Sequence, residues 1–542
     1  MEKYNAFLPL IILFLLVQVI PKKLNAQHVQ FNWQNCFNGP LYDEAYDITP
    51  TGDGYMIAGI YKIKQNDPPI VDDRDIWLIK TDMVGNLQWQ KFLGGTSGDV
   101  PARIFPAKDG NYFVVGASSS SDGDISADPY PASSNYWIIK VDSNGNILWD
   151  KIVGGNCFDQ IWTGTATDDG GIVGMGWTCS GDGDIGQYFG SYDMWMIKLD
   201  TNGEKVWDFT IGTTNYDFGQ AIIQTSDGGF LAGGASAFAS QPGNIDCTPF
   251  SDYSEAIVFK LDSNANIQWQ QCYGGSSHEG ATTFVELSDG YIIGSYAMSS
   301  DGDLTGSGFH GANDIWLVKI DFSGNIIWQK CYGGTGEDFV YRIFKLANND
   351  LIVFGTTQSF DGDVIGNHGL SDIEPDLWML RLDSTGALLW QRCIGSVGEE
   401  RLNSGILQIS DREYIGTCTI SSGQNGDITC GNYPEINYGA WVFSITDTTT
   451  YVGIPGRPEF SANFKVYPNP ARDYVVFERQ GLQAKQQKQI TIQIVTVLGQ
   501  EVETLEMQGD KTVWITEEVE PGVYFYRIEG GGYLGKMVVA DF

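Results

Sequence analysis

A single pattern recurs seven times along the chain, about 60 residues apart. Each copy runs through an acidic turn, two short apolar segments, an Asp-Gly-Asp loop, the motif Trp-x-x-Lys-x-Asp, a Gly-Asn turn and a second Trp segment. The first tryptophan position holds Trp77, Trp137, Trp195, Trp316, Trp378 and Trp441, with Val258 in its place in one copy. The second holds Trp33, Trp89, Trp149, Trp207, Trp269, Trp328 and Trp390. Self-similarity at a fixed long period marks a repeat architecture, because one unit cannot bury its apolar face without a neighbour.

Each unit reads as four strands. Phe218–Thr225 turns through Ser226-Asp227-Gly228-Gly229 into Phe230–Gly234, and Asp314–Ile320 turns through Ser323-Gly324-Asn325 into Ile326–Cys331. Both are hairpin signals. Val, Ile, Trp and Tyr dominate these segments, and no 3.6-residue periodicity competes with them. Four-stranded antiparallel units repeated radially make a β-propeller; the alternative, a linear β-solenoid, has shorter rungs than this repeat. The tryptophan register also predicts closure, since Trp441 has no downstream partner and Trp33 no upstream one. The chain is therefore expected to be all-β, a seven-bladed propeller over 27–447. Phe31–Cys36 would supply the missing outer strand beside Ala440–Ile445 and remove the open edges.

If the first strand of each blade is innermost, the tight turns share one face. The long second-to-third loops and the crossovers between blades share the other. Length variation sits on that second face, in Ser121–Asn135, Ser236–Ser254 and Phe360–Pro375, where loop-borne function on a rigid scaffold belongs. Two acidic sets fall there. The Asp-Gly-Asp loops are Asp122/Asp124, Asp182/Asp184, Asp301/Asp303 and Asp361/Asp363, with Asp246 and Asp427 in degraded copies. Paired carboxylates across a Gly offer hard oxygen ligands to Ca²⁺; the alternative is a turn whose Asp side chains bind backbone N–H groups. The second set, Asp43, Asp99, Asp159, Asp217, Glu279, Asp338 and Glu399, precedes each innermost strand. It predicts an acidic ring at the mouth of a central channel, suited to a cationic guest, or else carboxylates that pin the crossover backbone. The tryptophans read as apolar anchors between blades, with sugar stacking as the alternative.

No catalytic constellation emerges. His28, His278, His310 and His368 fall at unrelated repeat positions with no matching Ser or Cys. Paired carboxylates are too numerous for one pair to stand out as an acid–base couple, and no Walker-type phosphate loop is present. No catalytic or cofactor-binding residue is assigned. The formal charge of −35 disfavours nucleic acid and anionic lipid as partners. Of nine cysteines, Cys36, Cys272, Cys331 and Cys393 each lie three residues after a second-position Trp and read as packing positions. Cys157 with Cys179, or Cys418 with Cys430, could form a bridge.

At the start of the chain, Lys3, the apolar run Phe7–Ile20 and Leu24-Asn25-Ala26 predict a signal peptide over 1–26, with an uncleaved anchor as the alternative. No later stretch is long enough to span a membrane as a helix. At the far end, a Thr, Gly and Pro-rich linker over 448–461 leads into 462–542, whose alternating apolar runs between turn signals argue a small antiparallel sandwich.

This last segment carries Tyr467-Pro468-Asn469-Pro470, Leu498-Gly499-Gln500-Glu501-Val502, Pro521-Gly522-Val523-Tyr524 and a closing Lys536-Met537-Val538-Val539. In these motifs it resembles the type A C-terminal sorting domain of the type IX secretion system of Bacteroidota. The resemblance implies export by the general secretory route and then by the type IX machinery, which becomes a partner. It also implies removal of the domain, with the cargo released or attached to surface lipopolysaccharide. The region 27–447 resembles the secreted β-propeller repeat proteins that carry such tails, which implies architecture and little activity. Val141-Asp142-Ser143-Asn144-Gly145-Asn146-Ile147-Leu148-Trp149 resembles the tryptophan-docking motif of quinoprotein propellers, which bind pyrroloquinoline quinone. Those enzymes commonly carry a disulfide between adjacent cysteines and eight repeats, and this chain has neither. The expectation is a secreted or surface-displayed monomer that binds a protein, a glycan or a cation such as Ca²⁺ through its long-loop face, without chemistry of its own. The alternatives are a polysaccharide-degrading or quinone-dependent enzyme, and a purely structural surface protein.

Overall fold

The computed structural model describes residues 28–38, 43–62, 74–131, 133–238, 243–371, 373–421, 425–430 and 438–449, together with strands of the tail between 463 and 539. The signal-peptide segment, most of the linker, and Pro468, Asn469, Pro470, Gly499 and Pro521 of the sorting motifs lie outside the described residues. Two compact units divide the chain between Thr449 and Thr450.

In the first unit, six four-stranded antiparallel sheets follow one another, each wired in simple up-and-down order. They span 43–93, 99–153, 159–211, 217–273, 279–332 and 338–394. A further sheet is built from Glu400–Arg401, Ile406–Gln408, Glu413–Ile420 and Gly439–Asp447, and its outer strand is Val29–Phe37. The register of that last pairing repeats the register inside the other sheets. Trp33 lies opposite Ser444, three residues past Trp441, as Trp89 lies opposite Lys80, three residues past Trp77. Gln34 accepts the Trp441 indole N–H at 3.3 Å, as Gln90 accepts that of Trp77 at 3.1 Å. Among the described residues the one helical segment is a single 3₁₀ turn, Gly302–Leu304, and no helix is long and apolar enough to cross a membrane.

The apolar core lies between sheets. Trp137 packs with Met56, Leu78 and Ile104 of the preceding and its own sheet, and Trp195 with Phe113, Tyr136 and Ile138. Trp77 packs with Ile415 and Val442, and Trp33 rests against the same cluster. These first-position rings are at most 2% exposed, so truncating one to Ala costs about 3–5 kcal/mol. The tight Gly-Asn turns lock onto the second-position rings. A side chain on Gly145 (φ +70°) would meet Trp89 of the neighbouring sheet, and one on Gly85 (φ +80°) would meet Trp33. At these two positions glycine meets both the backbone angle and the space, while Ala265 takes the place at φ +64° in another copy.

Disulfides join Cys36 to Cys430, Cys157 to Cys179 and Cys247 to Cys272, while Cys331, Cys393 and Cys418 are buried thiols. Cys36 and Cys272 are thus cross-linked positions rather than packing positions, and Cys430 bonds Cys36 instead of Cys418. The physical reason is proximity across the last sheet: Cys36 pairs with Trp441 in register, which brings it to the loop that carries Cys430.

The second unit stacks Asn463–Tyr467, Tyr474–Gln480 and Lys511–Ile515 as one sheet. Glu501–Met507, Ile490–Thr496, Gly522–Ile528 and Tyr533–Val539 form another. Val475, Phe477, Ile492, Ile494, Trp514, Tyr524 and Tyr526 form their shared core. The alternation of apolar residues seen in the sequence faces inward, as two packed antiparallel sheets require.

Candidate functional site

The repeat-encoded acids sit in the seams between sheets, where the chain leaves one outer strand and enters the next inner one. Asp99 accepts the Gly95 N–H at 2.8 Å and the Ser120 hydroxyl at 2.8 Å. Asp159 accepts from Gly155 at 2.7 Å, Asp217 from Thr213 at 2.6 Å, Glu279 from Gly275 at 3.0 Å and Asp338 from Gly334 at 2.9 Å. These five and Asp43 have no exposed surface. In the last copy the same bond, Ser396 N–H to a carboxylate at 3.0 Å, is made by Glu400. Glu399 is partly exposed and pairs with Arg401. The predicted ring is therefore displaced by one residue there, because two adjacent glutamates compete for one seam. These acids close the seams instead of facing open space. Burial pushes the Asp217 and Asp338 carboxyls up to about 6 and the Glu400 carboxyl well above its ordinary range.

The Asp-Gly-Asp loops clasp the same seams from above. The first carboxylate takes a backbone N–H of the crossover: Asp122 from Thr96 at 2.8 Å, Asp182 from Asn156 at 2.9 Å, Asp301 from Ser276 at 2.8 Å and Asp361 from Thr335 at 2.7 Å. The second reaches the N–H of the Gly that ends the outer strand, Asp124 on Gly94 and Asp184 on Gly154 at 3.1 Å, and Asp303 on Gly274 at 3.2 Å. Asp363 lies at the same place, its own N–H donating to Gly333 at 2.8 Å. In the degraded copies Asn244 holds Gly212 at 3.0 Å and Asp427 holds Gly395 at 3.4 Å. Among the described residues, no group of three or more His, Cys, Asp or Glu side chains is placed to hold a metal ion.

His310 and His368, at unrelated places in the sequence pattern, prove equivalent. Each donates its backbone N–H to the Asp that opens a third strand, and each sets Nδ1 on the same oxygen, at 2.9 Å from Asp314 and 2.6 Å from Asp376. Unequal loop lengths hid this, four residues in one copy and eight in the other. The Asp376 carboxylate raises the His368 imidazole above its ordinary value.

What the repeat does not encode lies at the centre. The inner strands carry a register shift at one common place: between Ala45 and Asp47, Pro101 and Arg103, Ile161 and Thr163, Gly219 and Ala221, Ala281 and Thr283, and Val340 and Arg342. Such bulges re-aim a side chain. The bulged residues are Tyr46, Ala102, Trp162, Gln220, Thr282 and Tyr341, and Asn403 takes the corresponding place in the broken last strand. All seven line one cavity of about 480 Å³, together with Arg74, Arg103, Gln160, Tyr296 and Phe339. Trp162 stands 53% exposed within it. Trp177, Tyr192, Tyr216 and Phe218 form a ring cluster, with Trp177 and Tyr192 4.6 Å apart and Tyr192 and Tyr216 5.4 Å apart.

The floor of this cavity is ionic. Arg103 Nε donates to Asp47 at 2.8 Å and its Nη1 to the Ser404 hydroxyl at 3.2 Å. Arg342 Nε donates to the Ser404 carbonyl at 2.8 Å, and its Nη2 lies 3.4 Å from the other Asp47 oxygen. Asp47 and Arg342 are separated by 295 residues, so the meeting is a product of the radial arrangement. Two guanidinium groups share one carboxylate that is 1% exposed. Burial and the nearby Arg103 charge hold the Arg342 guanidinium down to about 10. Beyond this floor a second cavity of about 430 Å³ is lined by Arg103, Lys108 and Arg342 among apolar groups. Neither lining includes an Asp or Glu among the described residues. The predicted sign is thus reversed: the seam acids are sealed away and the channel presents cations. A sequence signal for this existed, since the third residue past each seam acid is the inner-strand position that changes chemical type from copy to copy.

Residues 465–540 match the family of secretion system C-terminal sorting domains. No curated protein matches the chain. Similar solved structures include the WD40 domain of Neurospora crassa Pan2, at 9% identity and a TM-score of 0.34, covering 65% of this chain and 90% of that one. The quinohemoprotein alcohol dehydrogenase ADHIIG of Pseudomonas putida HK5 is similar at 9% identity and a TM-score of 0.34, covering 82% and 79%. A puromycin hydrolase reaches a TM-score of 0.41 at 10% identity, with 84% of this chain and 62% of that one covered. Likenesses this remote add no argument about activity.

Proposed function

We propose that this β-propeller, which a type IX sorting domain directs to the cell surface or the medium, is a non-catalytic binding protein whose ligand enters the central cavity from the crossover face. The observation that carries this reading is the set of bulged residues. Six kinds of side chain occupy these seven equivalent positions, and they converge on a concave, partly aromatic cavity. Ligand sites are concave, mostly apolar and fitted with a few placed polar groups.

The reading takes the scaffold to be a seven-bladed propeller over 27–447, closed by Val29–Phe37. Support comes from the matching registers around Trp33 and Trp89, from Gly85 and Gly145 resting on equivalent rings, and from the cluster that joins Trp77 to Ile415 and Val442. The seam acids and the Asp-Gly-Asp clasps belong to the scaffold, because their carboxylates are committed to backbone N–H groups. The test is a binding screen of the mature protein against surface glycans and proteins, followed by oxidative footprinting of any complex. Protection centred on Trp162 and Tyr341 is expected. Protection confined to the outer strands, or turnover of a ligand, would overturn the reading.

A further inference from the structure

Charge and ring placement together name a ligand class, and this step rests on the binding role just described. The full chain carries a large negative charge, with 67 acidic against 32 basic residues. Yet the described residues lining its central cavity include Arg74 and Arg103 and no acid. Such a cavity concentrates an anion against the surrounding field. Two of Arg103's five N–H groups are used within the protein, by Asp47 and Ser404. Its planar fork suits a carboxylate better than a point charge would. Above it stands Trp162, half exposed, with Tyr341 and Phe339 across the cavity. Beside them the Gln220 side-chain carbonyl oxygen is buried without a hydrogen-bond partner. A buried acceptor without a donor calls for one from the guest.

We infer that the cavity binds a carboxylate-bearing saccharide. The apolar face of a sugar ring would lie on Trp162, a hydroxyl would donate to Gln220, and the carboxylate would accept from Arg103. An acidic peptide would satisfy the arginine but would leave the exposed indole and the orphan acceptor without matched partners in one compact unit.

Calorimetric titration of the mature full chain tests this, using uronate- and sialate-terminated oligosaccharides, each beside its neutral counterpart, with triglutamate as the peptide arm. At least one carboxylated sugar is expected to bind about tenfold or more tighter than its neutral partner, and to weaken with added salt. Arg103→Lys and Trp162→Ala are each expected to lose about tenfold in affinity. Gln220→Leu, which touches no ion pair, keeps the test sound if Arg103→Lys lowers the melting temperature. Equal binding of neutral sugars, equal binding of triglutamate, or no binding across the panel overturns the inference. A protein ligand whose capture depends on Trp162 would sink the saccharide and leave the binding role standing.

Discussion

The seams between sheets and the cavity at their centre use the same kind of chemistry to opposite ends. In the seams, carboxylates recur in every copy, lie out of solvent and are held by backbone N–H groups, as Asp99 is by Gly95. In the cavity the side chain at the bulge varies among copies, the charges are guanidinium groups, and Trp162 is half exposed. Repetition therefore marks what assembles the scaffold, and departure from repetition marks what meets the outside. A position present in all copies answers a need that all copies share, namely satisfying the polar backbone at a crossover.

Four experiments can break or sharpen that contrast. The largest effect is expected from deleting Gln27–Cys36, which strips the outer strand from the last sheet and exposes an unpaired edge beside Gly439–Asp447. Aggregation in size-exclusion chromatography is the expected outcome, and a monodisperse, equally stable protein would refute closure by this strand. The milder Cys36→Ser should cost about 2–4 kcal/mol in denaturant unfolding. Next, Asp338→Ala should destabilise by about 1–3 kcal/mol, since it strands the Gly334 N–H and the Ser359 hydroxyl in a buried seam. Trp162→Ala should change stability by less than about 1 kcal/mol while weakening binding about tenfold. Comparable losses of stability at the two sites would erase the distinction between scaffold and cavity.

Third, stability should fall as pH rises from about 4 toward 7. Asp217 and Asp338 keep their protons up to about 6 in the folded chain and release them near 3.8 when unfolded. The native state therefore binds more protons between those values and loses stability through that window. The raised pKa of His368 acts in the same direction, its contribution being complete below 6.5 and lost as pH climbs through the folded value. Asp169 and Asp227, held down to about 2 chiefly against burial by Lys198 and Thr225 with Lys260, work the other way only below 3.8. Scanning calorimetry from pH 3 to 8 checks this, and a melting temperature that rises steadily from pH 5 to 8 would contradict it. The smallest effect concerns calcium. With the Asp-Gly-Asp carboxylates engaged by backbone N–H groups, chelation is expected to leave the melting temperature unchanged. A rise on adding Ca²⁺ would show that the clasps hold metal after all, since a ligand that binds only the native state stabilises it.

Much of this scaffold could be read from the chain alone. The strand order and the Trp positions follow from periodicity, because side-chain alternation and turn residues act locally. The Cys36–Cys430 bridge could not be read, since its partners lie 394 residues apart in sequence and meet only at the last sheet. The cavity's sign was hidden for a different reason. A bulge rotates one residue out of the alternating pattern, so Tyr46, Trp162 and Tyr341 look in sequence like ordinary strand residues. Glu399 was favoured over Glu400 because spacing alone cannot say which of two adjacent acids turns inward.

The Cys36–Cys430 bond also has a mechanical meaning. The chain leaves the first unit beside its own beginning, with Asp447 opposite Val29 and Thr448 donating to the His28 carbonyl. A surface protein held by its tail would feel any tug at that spot. The load would run along two antiparallel strands in shear, with a covalent rivet a few residues deeper, so the domain should resist being unravelled from its tether as long as that bond stays oxidised.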